Sequence, residues 1–190
     1  MFKCKLLLSI ILILSFTQII FAKDFPIDNE FTVQERLNCS IQAGLKYNVP
    51  IDVLLAISSI ENGNIDTISK NTNNSYDYGV MQINSIYIKE LNNKLNLDLK
   101  KEDFLKRDCF SFQVAAYKLK EHIKFDKGDL LTKLAMYHSK TPKYNEIYKK
   151  KIVAHAKYWS DFLLNNNFKL YLYLEMQQGG IYNENKTYDF

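Results

Sequence analysis

The sequence contains only three histidines, and they are not arranged as metal ligands. His122, His138 and His155 are scattered along the chain, without the short paired spacing that presents two imidazoles to one ion. The chain also has no serine nucleophile elbow, no P-loop and no Rossmann fingerprint. These absences argue against metal-dependent, serine-based and nucleotide-dependent chemistry.

A large excess of charge of one sign is also missing. The 190-residue chain has a formal charge of +4, which falls to +2 when the first 22 residues are removed with their two lysines. So small a charge does not predict a nucleic acid partner. It is compatible with an anionic cell-wall polymer without requiring one.

The N-terminal segment 1–22 has the pattern of a secretory signal peptide. Two lysines precede an apolar run that ends at Phe21, and Ala22 is a small residue suited to the position before a cleavage site. The run is short for a membrane span, which needs about 20 apolar residues. We therefore expect an exported, periplasmic or wall-associated protein with no stable membrane span after cleavage. An uncleaved N-terminal anchor is the alternative.

Two cysteines, Cys39 and Cys109, remain after removal of this segment. In an exported protein, two cysteines usually form one disulfide. The alternative is a pair of buried free thiols. The sequence therefore predicts one covalent link between distant parts of the mature chain.

Hydrophobic periodicity predicts a single, mostly α domain at 23–164, with no internal repeat and no interdomain linker. Helices are expected at about 32–47, 51–61, 83–93 and 142–164. Two more helices are expected to start after the caps Asp108 and Asp129. Strand signals are weak, so 62–78 is predicted to be a polar loop or a small β-like region. The alternating stretch LYLYL at 170–174 is the exception. Residues 165–190 form an extension of unknown structure, which could dock on the domain, contact a partner or stay disordered.

Glu61 is the first candidate catalytic residue. It ends the predicted helix IDVLLAISSIE, which is apolar on nearly all sides and should be buried. A carboxyl group at the end of such a helix is partly desolvated, which raises its pKa and suits it to donate a proton to a leaving oxygen. The alternative is a helix-end glutamate that points into water.

Asp77, across the polar loop from Glu61, is the second candidate. Two carboxyl groups in different surroundings, one apolar and one polar, are the pattern used for glycosidic bond cleavage, with lysozyme as the standard case. Asp77 could instead only shape the loop. Other polar or special residues nearby and downstream are Gly79, Met81, Gln82, Asn84, Tyr137 and His138, each of which also has an ordinary structural role open to it.

Three segments in order, LLAISSIENGN, SYDYGVMQINS and LAMYHS, resemble the catalytic domain of the soluble lytic transglycosylases. The similarity covers about 32–160 and is greatest to the small exported members that accompany type III and type IV secretion or conjugation systems. The resemblance implies a lysozyme-like α fold and local cleavage of peptidoglycan glycan strands. It implies no cofactor.

The resemblance assigns roles residue by residue. The family's catalytic glutamate falls on Glu61, and the serine that usually follows it is Asn62 here. The Gly-Leu-Met-Gln motif becomes Gly79-Val80-Met81-Gln82, and Ser75 stands where a serine often precedes it. The Tyr-Asn motif becomes Tyr137-His138, whose tyrosine supports the glutamate in the family. The implied substrate-binding residues are Ser75, Gly79, Met81, Gln82, Asn84, Tyr137 and His138, and the cysteine positions match those of the secretion-associated subset.

The segment SYDYGVMQINS also resembles the corresponding part of animal c-type lysozymes, in which the aspartate is the second catalytic carboxylate. This likeness leaves several interpretations open. The chain could be a lytic transglycosylase, or a muramidase that hydrolyses the same bond with help from Asp77. It could also be an inactive wall-binding or assembly protein, or an exported helical adaptor.

Overall fold

A computed structural model describes residues 32–106 and 109–166 of the chain. The elements are α1 (Val33–Tyr47), α2 (Ile51–Glu61), β1 (Ile68–Lys70), β2 (Tyr76–Tyr78), β3 (Ile83–Asn84), α3 (Ser85–Leu95), a 3₁₀ helix (Lys101–Phe104), α4 (Phe110–Phe125), α5 (Leu130–Ala135) and α6 (Pro142–Asn165). This architecture confirms the expectation of a mostly α fold with a small β region. The predicted signal peptide, the Asp108 cap and the LYLYL stretch lie outside the described residues.

Most predicted helices form within two residues of the expected bounds, and three of those in the described residues start at a side-chain cap. The capping box at the start of α1 is complete, with Thr32 and Glu35 each accepting a backbone N–H of the other. Asp129 caps α5 by accepting from the N–H of Thr132. Asn84 caps α3 in the same way, so this helix begins after the motif residues and not among them.

Helix α2 runs through the centre of the domain. Leu54, Leu55, Ala56 and Ile57 have no exposed surface, as expected for a helix that is apolar on every side. On one flank α2 packs against α6, where the Nε1–H of Trp159 donates to Ser59 Oγ at 2.9 Å. This burial carries the end of α2, and therefore the Glu61 side chain, to the base of a surface cleft.

The polar segment 62–78 contains two strands of a three-stranded antiparallel sheet, which is the small β-like region of the prediction. The strand β2 pairs with β1 through Ser69 opposite Asp77, and with β3 through Asp77 opposite Asn84. The strands are two or three residues long and rich in polar side chains, so they lack the apolar alternation by which strands are identified. Side-chain hydrogen bonds on the cleft side of the sheet compensate for the small apolar area.

The cysteines form a disulfide that joins the middle of α1 to the residue before α4. The Cα atoms of Cys39 and Cys109 are 4.9 Å apart, across a sequence separation of 70 residues. The predicted disulfide is therefore confirmed. None of the helices in the described ranges is long and apolar enough to cross a membrane.

Loss of this disulfide should reduce stability substantially. We expect the double variant Cys39→Ser/Cys109→Ser to lose about 4 kcal/mol of unfolding free energy, because a long loop is no longer closed in the unfolded chain. Urea denaturation followed by circular dichroism would measure the loss. Wild-type protein under reducing conditions is the matched control and should unfold at the same denaturant concentration as the variant. A loss below about 1 kcal/mol would show that the link contributes little.

Candidate active site

A cleft of about 820 Å³ opens between the small sheet, the helices α2, α3 and α4, and the segment 136–140 that joins α5 to α6. It brings together many of the residues singled out in the sequence: Glu61, Ser75, Asp77, Gln82, Asn84, Tyr137 and His138. Gly79 and Met81 are not among its lining residues. No three His, Cys, Asp or Glu side chains of the described residues form a group that could hold a metal ion.

Glu61 lies at the C-terminal end of α2, where the buried helix meets the cleft. Its Oε1 accepts a hydrogen bond from the hydroxyl of Tyr148 at 2.5 Å. Desolvation raises the pKa of the Glu61 carboxyl, and it outweighs the opposing effects of the Tyr148 hydrogen bond and of the Lys118 charge. Glu61 therefore retains its proton to higher pH than an ordinary glutamate, which is the property required of a general acid.

Asp77 projects from β2 into the cleft and is held by two amides. Asn71 Nδ2 donates to one carboxylate oxygen at 2.8 Å, and Asn84 Nδ2 donates to the other at 2.6 Å. Both amides also donate to Ser75 Oγ, which donates in turn to Asn73 Oδ1. Because both of its oxygens are engaged, the carboxyl group of Asp77 is fixed in one orientation. The two candidate carboxyls therefore lie in contrasting surroundings, one apolar and one polar.

The turn from β2 to β3 stabilises the wall of the cleft. Gln82 has a positive φ of 48° and uses its side chain within the turn, donating to Gly79 O and accepting from Ser69 Oγ. Met81 is fully buried, so its side chain cannot contact a glycan. Gly79 is also buried, with its backbone against Phe104. Gly79 and Met81 therefore lie behind the residues that line the cleft, and a direct contact of either with substrate stays a prediction.

The tyrosine that is hydrogen-bonded to Glu61 is Tyr148, whereas Tyr137, the tyrosine of the family motif, is bonded elsewhere. The hydroxyl of Tyr137 donates to Met81 O at 2.7 Å, which ties the residue to the β2–β3 turn. His138 is exposed at the cleft surface and stacks on the ring of Tyr148, with centroids 4.8 Å apart. Partial desolvation of the ring, together with the charges of Lys151 and Lys118, lowers the pKa of His138, so its imidazole is neutral over a wider pH range than usual. The motif thus supports Glu61 indirectly, through the ring of Tyr148.

Sequence reasoning missed two residues of the cleft, Asn71 and Lys118, and the role of Tyr148, whose hydroxyl donates to Glu61. Tyr148 lies within the long helix predicted at about 142–164, and it is buried. The available signal was its hydroxyl, because a buried phenol needs a hydrogen-bond partner. Asn71 had no signal, since asparagines are frequent throughout this loop.

Comparisons with known proteins agree with the mostly α fold. A family model described as the transglycosylase SLT domain matches residues 38–157. Protein IpgF of Shigella flexneri and Protein IpgF of Shigella sonnei are each 37% identical to this chain over 87 residues. The aligned part covers 45% of this chain and 55% of each relative, so the chain spans about half the length of these curated relatives. Because the family match extends over more than half of the chain, and the mostly α fold agrees with it, the protein belongs to the transglycosylase SLT domain family.

Proposed function

We propose that this protein cleaves the glycan strands of peptidoglycan at the β-1,4 bond between N-acetylmuramic acid and N-acetylglucosamine, with Glu61 as general acid and base. One observation carries the proposal. Glu61 ends a buried helix at the base of a polar cleft, and its pKa is raised by burial while Tyr148 fixes its orientation. Membership of the family supports the same class of substrate.

In the first step, the protonated Glu61 donates its proton to the glycosidic oxygen, and the bond from this oxygen to the anomeric carbon breaks. Positive charge develops on the anomeric carbon. The fixed carboxylate of Asp77 stabilises this charge if the sugar lies against β2. Otherwise the acetamido group of the substrate attacks the anomeric carbon and takes up the charge.

In the second step, Glu61 is a carboxylate and acts as the base. If it removes the proton of the muramyl 6-hydroxyl, this oxygen bonds to the anomeric carbon, and the product carries a 1,6-anhydro ring. If it removes a proton from water, the product is the ordinary reducing sugar. The first outcome is that of a lytic transglycosylase, which family membership favours. The second is that of a muramidase, which the fixed position of Asp77 favours. Neither step requires a cofactor.

The effect of Asp77→Asn should distinguish these outcomes. For the transglycosylase route we expect a loss of activity of less than about tenfold, because the substrate itself stabilises the charge. For the muramidase route we expect a loss of about 10³-fold, comparable to that of a missing catalytic acid. Mass spectrometry of digested sacculi is the matching product analysis, since anhydro products are lighter by one water. Asp66→Asn, which removes one negative charge from an exposed position of the same loop outside the cleft lining, is a control for changes of loop charge.

We further propose that cleavage is local and serves a secretion or conjugation apparatus, in the periplasm or at the wall. The similarity to small exported family members and the signal-like segment 1–22 support this location. Cell fractionation with a C-terminal tag is the test. A full-length protein retained in the cytoplasm would contradict the proposal. The inactive wall-binding alternative would instead give binding to sacculi without any release of soluble fragments.

A further inference from the structure

Lys118 lies in the cleft, yet the proposed mechanism gives it no role. It belongs to α4, and its Nζ donates to the backbone carbonyl of Tyr137 at 2.8 Å. The ammonium also lies 4.5 Å from the centroid of the Tyr137 ring and 5.0 Å from that of Tyr87. Two aromatic rings and a carbonyl therefore hold this cation in place.

The charge of Lys118 is not neutralised by a direct partner. Among the described residues, no carboxylate lies within ion-pair distance of its Nζ, and its one hydrogen bond goes to a neutral carbonyl. Its charge therefore acts over a longer distance on the groups around the cleft. Those that interact with it are Glu61 of α2, Asp77 of β2, Glu90 of α3, His122 of α4, and His138 and Lys140 before α6.

Burying an ammonium group is costly, and the pKa of Lys118 shows this. Desolvation lowers this pKa to about 8, although the negative charges of Glu61 and Asp77 act in the opposite direction. Lys118 thus remains charged up to about pH 8 and keeps its positive charge over the range in which an acid such as Glu61 changes protonation. A partly buried cation without an ion-pair partner among the described residues contributes little to folding, which favours a functional use.

We propose that Lys118 is an electrostatic positioning residue of the active site, whose ammonium acts through space on Glu61 and sets the upper pH limit of glycan cleavage. This inference rests on the proposed role of Glu61. Tyr148 and Lys151 act on Glu61 in the same direction as Lys118, whereas burial and Asp77 oppose them. Removing either lysine changes the charge while leaving the direct hydrogen bond of Glu61 in place, and Lys118 is the one of the two that lines the cleft.

Lys118→Met removes the charge and retains the length of the side chain. With the positive charge absent, the protonated form of Glu61 is favoured further. In a plot of cleavage rate against pH, we therefore expect the loss of activity at high pH, the high-pH limb, to move to higher pH by about half a unit. Lys118→Arg keeps the charge and should leave the limb close to its wild-type position. Lys120→Met, on the same helix but beside Tyr47 and outside the cleft, should leave it unchanged.

A titration of the Glu61 carboxyl carbon by NMR gives a readout that needs no turnover. The midpoint in Lys118→Met should lie above the midpoint in wild type, and a melting curve would verify that the variant is folded. Coincident Glu61 midpoints in the two proteins would overturn the role of Lys118. An equal shift in Lys118→Arg would also overturn it, since size and not charge would be responsible. If the wild type releases no more product than Glu61→Gln, the proposed function fails, while the titration still decides the electrostatic coupling.

Discussion

Glu61→Gln should abolish glycan cleavage and leave the fold intact. We expect the rate of release of soluble fragments from sacculi to fall by at least about 10³-fold, because glutamine cannot donate a proton to the glycosidic oxygen. The amide has nearly the same shape as the acid, and its carbonyl oxygen can still accept the hydrogen bond from Tyr148. The melting temperature should therefore not fall. Chromatography of the fragments with mass detection measures the rate.

Glu90→Gln is the matched control for this experiment. Glu90 also lines the cleft, but it lies on α3, is exposed, and has no part in the proposed proton transfer. The control should keep activity within a few-fold of wild type. Residual turnover of Glu61→Gln above about a tenth of the wild-type rate would remove Glu61 from its assigned role.

Gly79→Ala should be the most destabilising single substitution in the cleft wall. A Cβ atom at this position would lie 1.9 Å from Phe104 O, a backbone atom that cannot move without displacing the 3₁₀ helix. The backbone also has a φ of +68°, which side chains other than glycine rarely adopt without strain. From the backbone contact and the strained φ together, we expect a loss of roughly 3 to 5 kcal/mol of unfolding free energy, measured by urea denaturation.

Gly128→Ala separates the two causes of this loss. Gly128 also has a positive φ, but a Cβ atom there would meet only the side chain of Thr132, at 3.0 Å. We expect this variant to lose roughly 1 to 2 kcal/mol, from backbone strain alone. Equal losses in the two variants would mean that the contact between Gly79 and Phe104 relaxes easily and does not fix the cleft wall.

The helices and the two carboxyl groups could be predicted because each has a local signal. Thr32 and Asp129 are N-cap residues that indicate where a helix begins, and Glu61 is an acid at the end of an apolar segment. The small sheet could not be predicted in the same way. Its strands are held partly by hydrogen bonds from Asn71 and Asn84 to Asp77, which join residues that only the folded chain brings together.

The role of Tyr148 shows why a motif alone could not complete the site. The sequence places Tyr137 in a known motif and Tyr148 in an apolar stripe, and both are buried. Which hydroxyl meets Glu61 depends on how α6 packs against α2, a tertiary property without a local signal. The unusual setting of Lys118 was hidden for a similar reason, since lysines are common on the exposed faces of amphipathic helices.

The termination of α2 has a further consequence for Glu61. Asn62 ends the helix in the left-handed conformation, with a φ of 48°, and its N–H donates to Ser58 O. Asparagine adopts this conformation more readily than serine, so the residue found after Glu61 in this chain suits the turn. Glu61 is thereby held in the last turn, where the aligned peptide dipoles concentrate negative partial charge on the free carbonyl groups. This field opposes ionisation of Glu61, so the point at which the helix ends also helps to keep the acid protonated.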